Sequence, residues 1–164
     1  MDIKKIDNLR ININKYKPLS GNSYIDLPEW IKNKKACINI KNKDNECFKY
    51  SVTCALKIPE KDAERVSKYS TPEYDKLLNF KGIKFPVKIQ DIPKFETQNK
   101  INITVFSFEG AMFYPLYHNK NQNYGKNIDL LYFGNKTNNH YCWIKSLSRL
   151  LNDQLEINRN KKYF

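Results

Sequence analysis

Asp44-Asn45-Glu46-Cys47-Phe48-Lys49-Tyr50-Ser51 is the stretch that decides the fold prediction, because it joins two segments with different hydrophobic periods. Upstream, residues 36–40 alternate between small or apolar and polar side chains, which is the period of a half-buried strand. Downstream, apolar residues recur at helical spacing: Phe48, Val52, Ala55 and Leu56. Pro59 ends that pattern. The sequence therefore predicts a strand, a short connection and a helix that begins close to Cys47.

Cys47 is the candidate nucleophile of this stretch. Asp44 is a favoured helix-capping residue, and as the cap it would put Cys47 at about the third helical position, in the first turn. Exposed backbone N–H groups and the positive end of the helix dipole favour a thiolate there. The Cys47 backbone N–H is one candidate oxyanion donor. Just upstream, Asn42 or Asn45 is a candidate second donor, with Asp44 as the alternative that fixes the loop.

The second half of the chain changes from helical and irregular patterns to strand patterns. Four segments have strand character, and a helix with one apolar face follows them: residues 101–106, 113–117, 128–133 and 140–145, then 146–155. The first half instead favours short helices, predicted at residues 60–68, at 71–82 after a Thr-Pro start, and from Asp91. We therefore expect an α+β domain, with a mostly helical half carrying Cys47 and an antiparallel sheet carrying His140.

His140 is the candidate general base, because it follows a Thr-Asn-Asn turn that would place the ring at the edge of the sheet facing the Cys47 helix. The competing His118 lies in a polar loop rich in Asn and Lys, which favours a solvated side chain. Asn138 is the predicted third member of the site, since residues two apart on a strand share a face. Three other residues remain alternatives for that role: Asp153, Asn152 and Asp129.

A structural interpretation of the same residues stays open at this point. Free cysteines are among the most buried residue types, so Cys47 can be a packing residue of its helix and His140 a turn histidine. Cys37 and Cys54 are expected to be buried small side chains of this kind. The four cysteines show no paired metal-ligand spacing and no dense disulfide pattern, so we expect reduced thiols, no metal and no cofactor.

Length and composition indicate one globular domain at residues 20–164, preceded by an arm or edge strand at residues 1–19. No apolar run approaches the about 18 residues needed to span a bilayer, and no secretory signal is evident at the start. The expected protein is intracellular, cytoplasmic or nuclear, monomeric and not bound to membranes. The unchanged composition at the C-terminal end indicates a piece of a longer chain.

The formal net charge of +12 raises the question of nucleic acid as a partner. The lysines are spread along the whole chain together with many asparagines, and arginine, which binds phosphate in a bidentate manner, occurs only four times. Dispersed charge of this kind is typical of a solvated surface. Nucleic-acid binding is therefore a secondary expectation.

The sequence resembles a group of cysteine peptidase-like domains carried by eukaryotic mobile elements, often near a family-B DNA polymerase. The blocks that carry this resemblance extend over nearly the whole chain from about residue 10: Tyr16–Pro28, Lys34–Asn42, Asp44–Phe48, Arg65–Tyr69, Leu78–Ile83, Phe85–Val87, Asp91–Glu96, His140–Cys142 and Ile144–Leu151. That group is similar to the deubiquitinases of herpesvirus large tegument proteins, which have a papain-like fold.

The resemblance implies a papain-like thiol isopeptidase that acts on ubiquitin or a ubiquitin-like modifier. It matches Cys47 to the nucleophile and His140 to the general base, and it puts Asn138 where an aspartate is expected. The Asp44-to-Phe48 motif together with His140-Tyr141 is also similar to ovarian-tumour-type deubiquitinases. Alternatives are a cysteine protease that processes a polyprotein or a ubiquitin-like modifier, and, from another class, a basic nucleic-acid-binding accessory domain.

Overall fold

A five-stranded β-sheet lies at the centre of the computed structural model, which describes residues 23–120, 123–135 and 137–160. The spatial order of the strands is β1-β5-β4-β2-β3, and their bounds are Cys37–Ile38 (β1), Asn102–Glu109 (β2), Met112–His118 (β3), Asn127–Gly134 (β4) and Asn139–Ile144 (β5). The four strand segments predicted in the second half are confirmed. The arm predicted at residues 1–19 lies outside the described residues.

The sheet is mixed, so the prediction of an entirely antiparallel sheet was wrong. Strand β3 returns antiparallel to β2 and ends with His118 opposite Thr104, close to the start of β2. The next strand begins at that same end, on the free side of β2, with Asn127 opposite Asn102. Two contacts hold the connection there, since the Asn102 side chain donates to the Tyr124 carbonyl and the Asn102 amide donates to the Lys126 carbonyl. Strand β4 therefore runs parallel to β2.

Helices cover both faces of the sheet. The chain forms five α-helices within the described residues: α1 (Glu29–Lys32), α2 (Cys47–Leu56), α3 (Pro72–Asp75), α4 (Ile92–Asn99) and α5 (Leu147–Asn160). Helices α2 and α4 pack on one face through Phe48 and Phe95, whose ring centroids are 5.2 Å apart. Helices α1 and α5 pack on the opposite face through Ile31 and Leu150. The α+β class predicted from the sequence is confirmed.

Strand alternation explains why both faces are apolar. On β4, Leu130 and Tyr132 point towards α2 and α4, whereas Leu131 and Phe133 point towards α1 and α5. All four side chains are buried, which accounts for the continuous apolar run in this segment. The same alternation on β5 puts Tyr141 on the α2 face and Cys142 on the α5 face.

Two helix predictions were wrong in extent. Residues 60–68 form only a 3-10 turn at Val66–Lys68, because Asp62 adopts a left-handed backbone conformation (φ 54°) that an α-helix cannot continue. Helix α3 starts after Thr71 as predicted but ends at Asp75, well before Gly82. After α3, the backbone N–H of Asn79 donates a hydrogen bond to Oδ1 of Asn99. A side-chain oxygen therefore takes the place of the carbonyl that would accept this bond in a helix.

No helix in the described part of the chain combines the length and the apolar composition needed to cross a membrane. The element that matters most for the candidate site is α2, which meets the sheet at the strand bearing His140.

Candidate active site

Cys47 is the first residue of α2, two positions closer to the helix start than predicted. Glu46 occupies the cap position, and its side chain makes no capping hydrogen bond. The predicted cap, Asp44, acts one turn earlier: its carboxylate accepts the Glu46 amide at 2.9 Å and the Tyr50 hydroxyl at 2.8 Å. Asp44 therefore fixes the entry to the helix, and the helix itself begins on the cysteine.

Asn42 supports the same loop from the other side. Its side chain is 2% exposed, and its Nδ2 donates to the Asp44 carbonyl at 2.7 Å and to the Asp44 carboxylate at 3.2 Å. Partial burial alone would raise the pKa of Asp44, but hydrogen bonds from the Glu46 amide, the Tyr50 hydroxyl and Asn42 hold that pKa below its usual value. Asp44 is therefore ionised at neutral pH, and these contacts are those of a loop-fixing pair.

The Cys47 thiol is buried, with 1% of the residue exposed. Burial raises the pKa of Cys47 from about 9 to about 12, against backbone hydrogen bonds from Tyr141, Phe48 and Cys47 itself that favour the thiolate. The Asp44 carboxylate adds a smaller effect in the same direction as burial. The sulfur is therefore a neutral thiol at pH 7, surrounded by backbone N–H groups.

Helix α2 contacts the backbone of β5 directly. Ser51 Oγ donates to the Tyr141 carbonyl at 3.2 Å, and the Tyr141 backbone amide lies close enough to the Cys47 sulfur to favour its thiolate. The N–H and C=O of Tyr141 thus point to α2, beyond the end of the two-residue strand β1 that pairs with β5 at Trp143 and Ile144. This arrangement puts the Cys47 sulfur beside Tyr141, on the α2 face of β5. The preceding residue, His140, packs its ring on the other face, against Phe133.

The His140 ring is fully buried, and a side chain outside the predicted set holds it. Its Nε2 lies 2.7 Å from Oδ1 of Asn39. The Asn39 Nδ2 donates to the Ile25 carbonyl at 2.9 Å, which fixes the orientation of the carboxamide. A carboxamide oxygen can only accept, so Nε2 carries the proton and Nδ1 is the basic nitrogen of the neutral ring.

Two aromatic rings pack against the imidazole from different sides. The ring centroids of Tyr24 and His140 are 5.9 Å apart in an edge-on arrangement, and those of Phe133 and His140 are 5.6 Å apart. The Tyr24 hydroxyl donates to Asp26 at 2.8 Å, and burial followed by this contact raises the pKa of Tyr24 to about 12. The ring of His140 is therefore restrained by packing as well as by Asn39.

Asn39 was missed by sequence reasoning, although one signal was present. It is the polar residue of the Ile38-Asn39-Ile40 alternation, a pattern that equally describes any half-buried strand. Its contact with His140 spans 101 positions in the chain, and it forms because residues 37–40 lie beside β5. Only the pairing of two distant strands identifies it.

The residues predicted as the third member of the site, beside Cys47 and His140, make other contacts. Asn138 donates through Nδ2 to the carbonyl of Ser23 at 3.1 Å and to its hydroxyl at 3.2 Å. Asp153 forms an ion pair with Lys34 at 2.6 Å on the α5 side of the molecule. Asn152, on the same helix, donates to Glu156. An orienting role for Asn138 remains a prediction, whereas Asn39 makes the direct contact.

His118 and Asp129 come together away from Cys47. His118 Nδ1 lies 3.0 Å from the Thr104 hydroxyl, and Thr104 is the register partner of both His118 and Asp129. Burial raises the pKa of Asp129, and the charge of His118 offsets part of this effect. These residues lie at the β2–β4 end of the sheet, so neither adjoins the α2–β5 contact.

The four cysteines are all free thiols. Cys54 is buried as predicted, whereas Cys37 is partly exposed because it lies on the edge strand β1. Among the described residues, no group of three or more His, Cys, Asp or Glu side chains could hold a metal ion.

A scan against models of protein families matches none of them, and searches of curated proteins and of solved structures find no significant match. The site is therefore interpreted from its own geometry. That geometry combines a cysteine at a helix start, backbone N–H donors around its sulfur, and a histidine oriented by a carboxamide.

Proposed function

We propose that this protein is a thiol-dependent hydrolase of the cysteine peptidase class, with Cys47 as nucleophile and His140 as general base. The single observation that carries the proposal is the α2–β5 contact. Cys47 begins α2, and Ser51 in the next turn donates to the Tyr141 carbonyl of β5. His140, the residue before Tyr141, is held through Nε2 by Asn39. A nucleophile, a base and a group that orients the base are the three parts that thiol acyl transfer requires.

The first chemical step would be proton transfer from the Cys47 thiol to Nδ1 of His140 as the sulfur attacks a substrate carbonyl. This step requires the imidazole to turn from its packing against Phe133 towards the start of α2. The imidazolium is stabilised because its Nε2–H already points at the Asn39 oxygen. The amine of the scissile amide then leaves with the proton from Nδ1, and the acyl group remains on the sulfur as a thioester. Water deprotonated by His140 hydrolyses the thioester and restores the thiol.

Backbone N–H groups are the natural oxyanion donors of this site. The backbone amides in the first turn of α2 lie at the positive end of the helix dipole. Those of Cys47 and Phe48 are close enough to the sulfur to favour its thiolate. Asn42, predicted as a second donor, uses its Nδ2 on Asp44 in the structure. We therefore assign Asn42 to loop support and the oxyanion role to the backbone.

The raised pKa of Cys47 favours one of two forms of the mechanism. A preformed thiolate–imidazolium pair needs a cysteine pKa well below the usual value, whereas here burial raises it to about 12. The proposed enzyme therefore uses general-base catalysis, in which the proton moves during attack. Burial also slows the reaction of the resting thiol with small oxidants and alkylating agents.

The proposed substrate class comes from the resemblance in the sequence. It favours an isopeptidase that cleaves after the C-terminal glycine of ubiquitin or a related modifier. A protease that processes a polyprotein would use the same Cys47 and His140 chemistry on a different substrate. The two alternatives differ in the protein substrate and not in the reacting groups.

Hydrolysis of a fluorogenic amide at the C-terminus of ubiquitin, and of related modifiers, tests the proposal. We expect Cys47→Ala to abolish turnover and His140→Ala to lower kcat by about a hundredfold or more, because general-base catalysis typically contributes that much. Matched controls are Cys37→Ala, the partly exposed thiol, and His118→Ala, the second histidine. His118→Ala should retain wild-type turnover. Cys37→Ala should retain the wild-type kcat, because the change removes no charged group from the wall that Cys37 helps to form.

The same control variants define which results would contradict the proposed roles of Cys47 and His140. Turnover that survives Cys47→Ala, or that is lost equally in Cys37→Ala, would exclude Cys47 as the nucleophile. Equal losses in the two histidine variants would exclude a specific role for His140. Circular dichroism of each variant separates these outcomes from unfolding.

A further inference from the structure

A basic groove lies next to the proposed site. Its cavity volume is about 560 Å³, and its walls are the extended segment Tyr24–Leu27 on one side and the chain around β1, from Lys35 to Lys41, on the other. Four lysines surround it: Lys32, Lys35, Lys41 and Lys145. We refer to this feature as the lysine groove.

The charge of the lysine groove is not balanced within the described residues. Its one lining carboxylate, Asp26, pairs with Lys32 at 2.7 Å. Lys35, Lys41 and Lys145 are exposed, and no ion pair joins any of them to a carboxylate of the described chain. Lys32 also lies 3.7 Å from the Glu29 carboxylate, so four ammonium groups against two carboxylates leave a local charge of +2. A concave surface with such an excess attracts anions.

The lysine groove adjoins the catalytic imidazole. Asn39 lines it, and the same side chain accepts the Nε2–H of His140. Tyr24 also lines it, and its ring packs edge-on against His140. A chain segment that occupies the groove would therefore lie next to the base of the proposed reaction.

From this juxtaposition we propose that the lysine groove binds an acidic, extended segment of the protein substrate and thereby selects substrates with carboxylates near the scissile bond. This inference rests on the proposed function, whose substrate class it narrows. A substrate with basic residues at the same place would be repelled by Lys35, Lys41 and Lys145. Substrate choice in this protein is then set by charge beside the site.

The shape of the lysine groove favours a peptide over a nucleic acid. Strand β1 is the edge strand of the sheet, and an edge strand offers backbone groups to an extended peptide. No arginine is among the residues that line the groove. Tyr24 supplies the one aromatic ring of the groove. That ring packs on His140, and its hydroxyl donates to Asp26, so it is poorly placed to stack on a nucleic-acid base.

Fluorescence anisotropy with a labelled peptide of alternating glutamate and serine tests the inference without any turnover. The groove variant is Lys35→Glu/Lys145→Glu, and the matched control is Lys84→Glu/Lys126→Glu, which makes the same change in net charge at exposed lysines outside the groove. We expect the dissociation constant to rise about tenfold or more in the groove variant and less than twofold in the control. A labelled single-stranded oligonucleotide is measured in parallel.

Three results would overturn the inference: no peptide binding by the wild type, equal weakening in both variants, or tighter groove-dependent binding of the oligonucleotide. Covalent labelling of Cys47 by modifier probes is measured on the same samples. Labelling without groove-dependent peptide binding contradicts the lysine-groove inference alone. Groove-dependent peptide binding without labelling contradicts the proposed chemistry alone.

Discussion

Two opposing effects act on the sulfur of Cys47. Burial disfavours the thiolate, and backbone N–H groups of Tyr141, Phe48 and Cys47 favour it. Burial is the larger effect, so the pKa rises to about 12. Cys47 is therefore a neutral thiol at pH 7, and in the proposed reaction a base would have to remove its proton.

Alkylation kinetics should show this raised pKa. Only the thiolate reacts, so the rate for Cys47 with iodoacetamide should keep rising about tenfold per pH unit from pH 7 to pH 9.5. An ordinary thiol begins to level off over this range because its pKa lies near 8.5. Mass spectrometry of digested protein measures the rate for each cysteine separately, with the partly exposed Cys37 as the internal reference.

At pH 7.5 we expect Cys47 to react more slowly than Cys37. Rapid labelling of Cys47 that is independent of pH above 7 would show a preformed thiolate. That result would contradict the general-base form of the mechanism while leaving Cys47 as the nucleophile.

Asn39 is predicted to orient His140 by a single hydrogen bond to Nε2. Replacing it by Ala should lower kcat about tenfold with little change in KM, because one buried hydrogen bond of the base is lost. Asn39→Asp keeps an acceptor at the same place and should recover most of the loss. Steady-state kinetics on the most active modifier substrate measure both effects.

Asn138→Ala is the matched control, since Asn138 donates to Ser23 instead. A larger kcat loss in Asn138→Ala than in Asn39→Ala would restore Asn138 as the orienting residue. Loss of rate in Asn39→Asp equal to that in Asn39→Ala would show that packing, and not the acceptor, is what Asn39 supplies.

The candidate residues differ in how far sequence predicts them. Cys47 is recognisable because the change from a strand period to a helix period occurs locally, within a few residues of it. His140 is recognisable from its turn and strand. Asn39 is not, because its role arises from the pairing of β1 with β5, and one polar residue in an alternating segment carries no information about a distant ring.

At the scale of elements, Glu96 joins α4 to the sheet. Its side chain is fully buried and accepts the Ile103 amide at 2.7 Å, the Tyr117 hydroxyl at 2.6 Å and the Asn119 side chain at 3.1 Å. The carboxylate thus satisfies donors from β2, β3 and the loop after β3. This one residue fixes where α4 packs on the β2–β3 hairpin.

Glu96→Ala should destabilise the protein by about 3 kcal/mol, because it leaves buried donors without an acceptor. Urea denaturation followed by circular dichroism measures the free energy of unfolding. Glu109→Ala, at the exposed end of β2, is the matched control and should change that free energy by less than about 0.5 kcal/mol. A loss below about 1 kcal/mol for Glu96→Ala would mean that the contacts with β2 and β3 are not formed in solution.

The elements themselves were largely predictable, whereas their arrangement was not. Strand alternation and the apolar face of α5 are local signals that the sequence carries directly. The insertion of β4 beside β2 depends on where β3 ends and on the contacts of Asn102 with the following loop. The early ends of the predicted helices depend on one left-handed residue, Asp62, and on a side-chain acceptor, Asn99.

At the scale of the whole molecule, the net charge of +12 is the dominant feature. It should produce weak nucleic-acid binding with a dissociation constant of about 10⁻⁴ to 10⁻⁶ M. The affinity should fall steeply as salt is added. We expect equal affinity for two unrelated oligonucleotides and no change on Cys47→Ala. Anisotropy at several salt concentrations measures this.

A strong preference for one oligonucleotide sequence would instead favour a nucleic-acid-binding accessory domain. The lysine groove would then be a candidate contact, and its variant Lys35→Glu/Lys145→Glu would weaken that preference. Salt-dependent binding without sequence preference agrees with dispersed surface charge.

The most direct test of the central claim is covalent capture of Cys47 by modifiers that carry a C-terminal alkyne in place of the terminal carboxylate. The protein is incubated with probes of ubiquitin and of several related modifiers, and the modified residue is located by tandem mass spectrometry. We expect one adduct, on Cys47, that disappears in Cys47→Ala, slows in His140→Ala and persists in Cys37→Ala. Adducts on another cysteine, or no adduct with any probe, would contradict the account of Cys47 and His140 as a thiol hydrolase site.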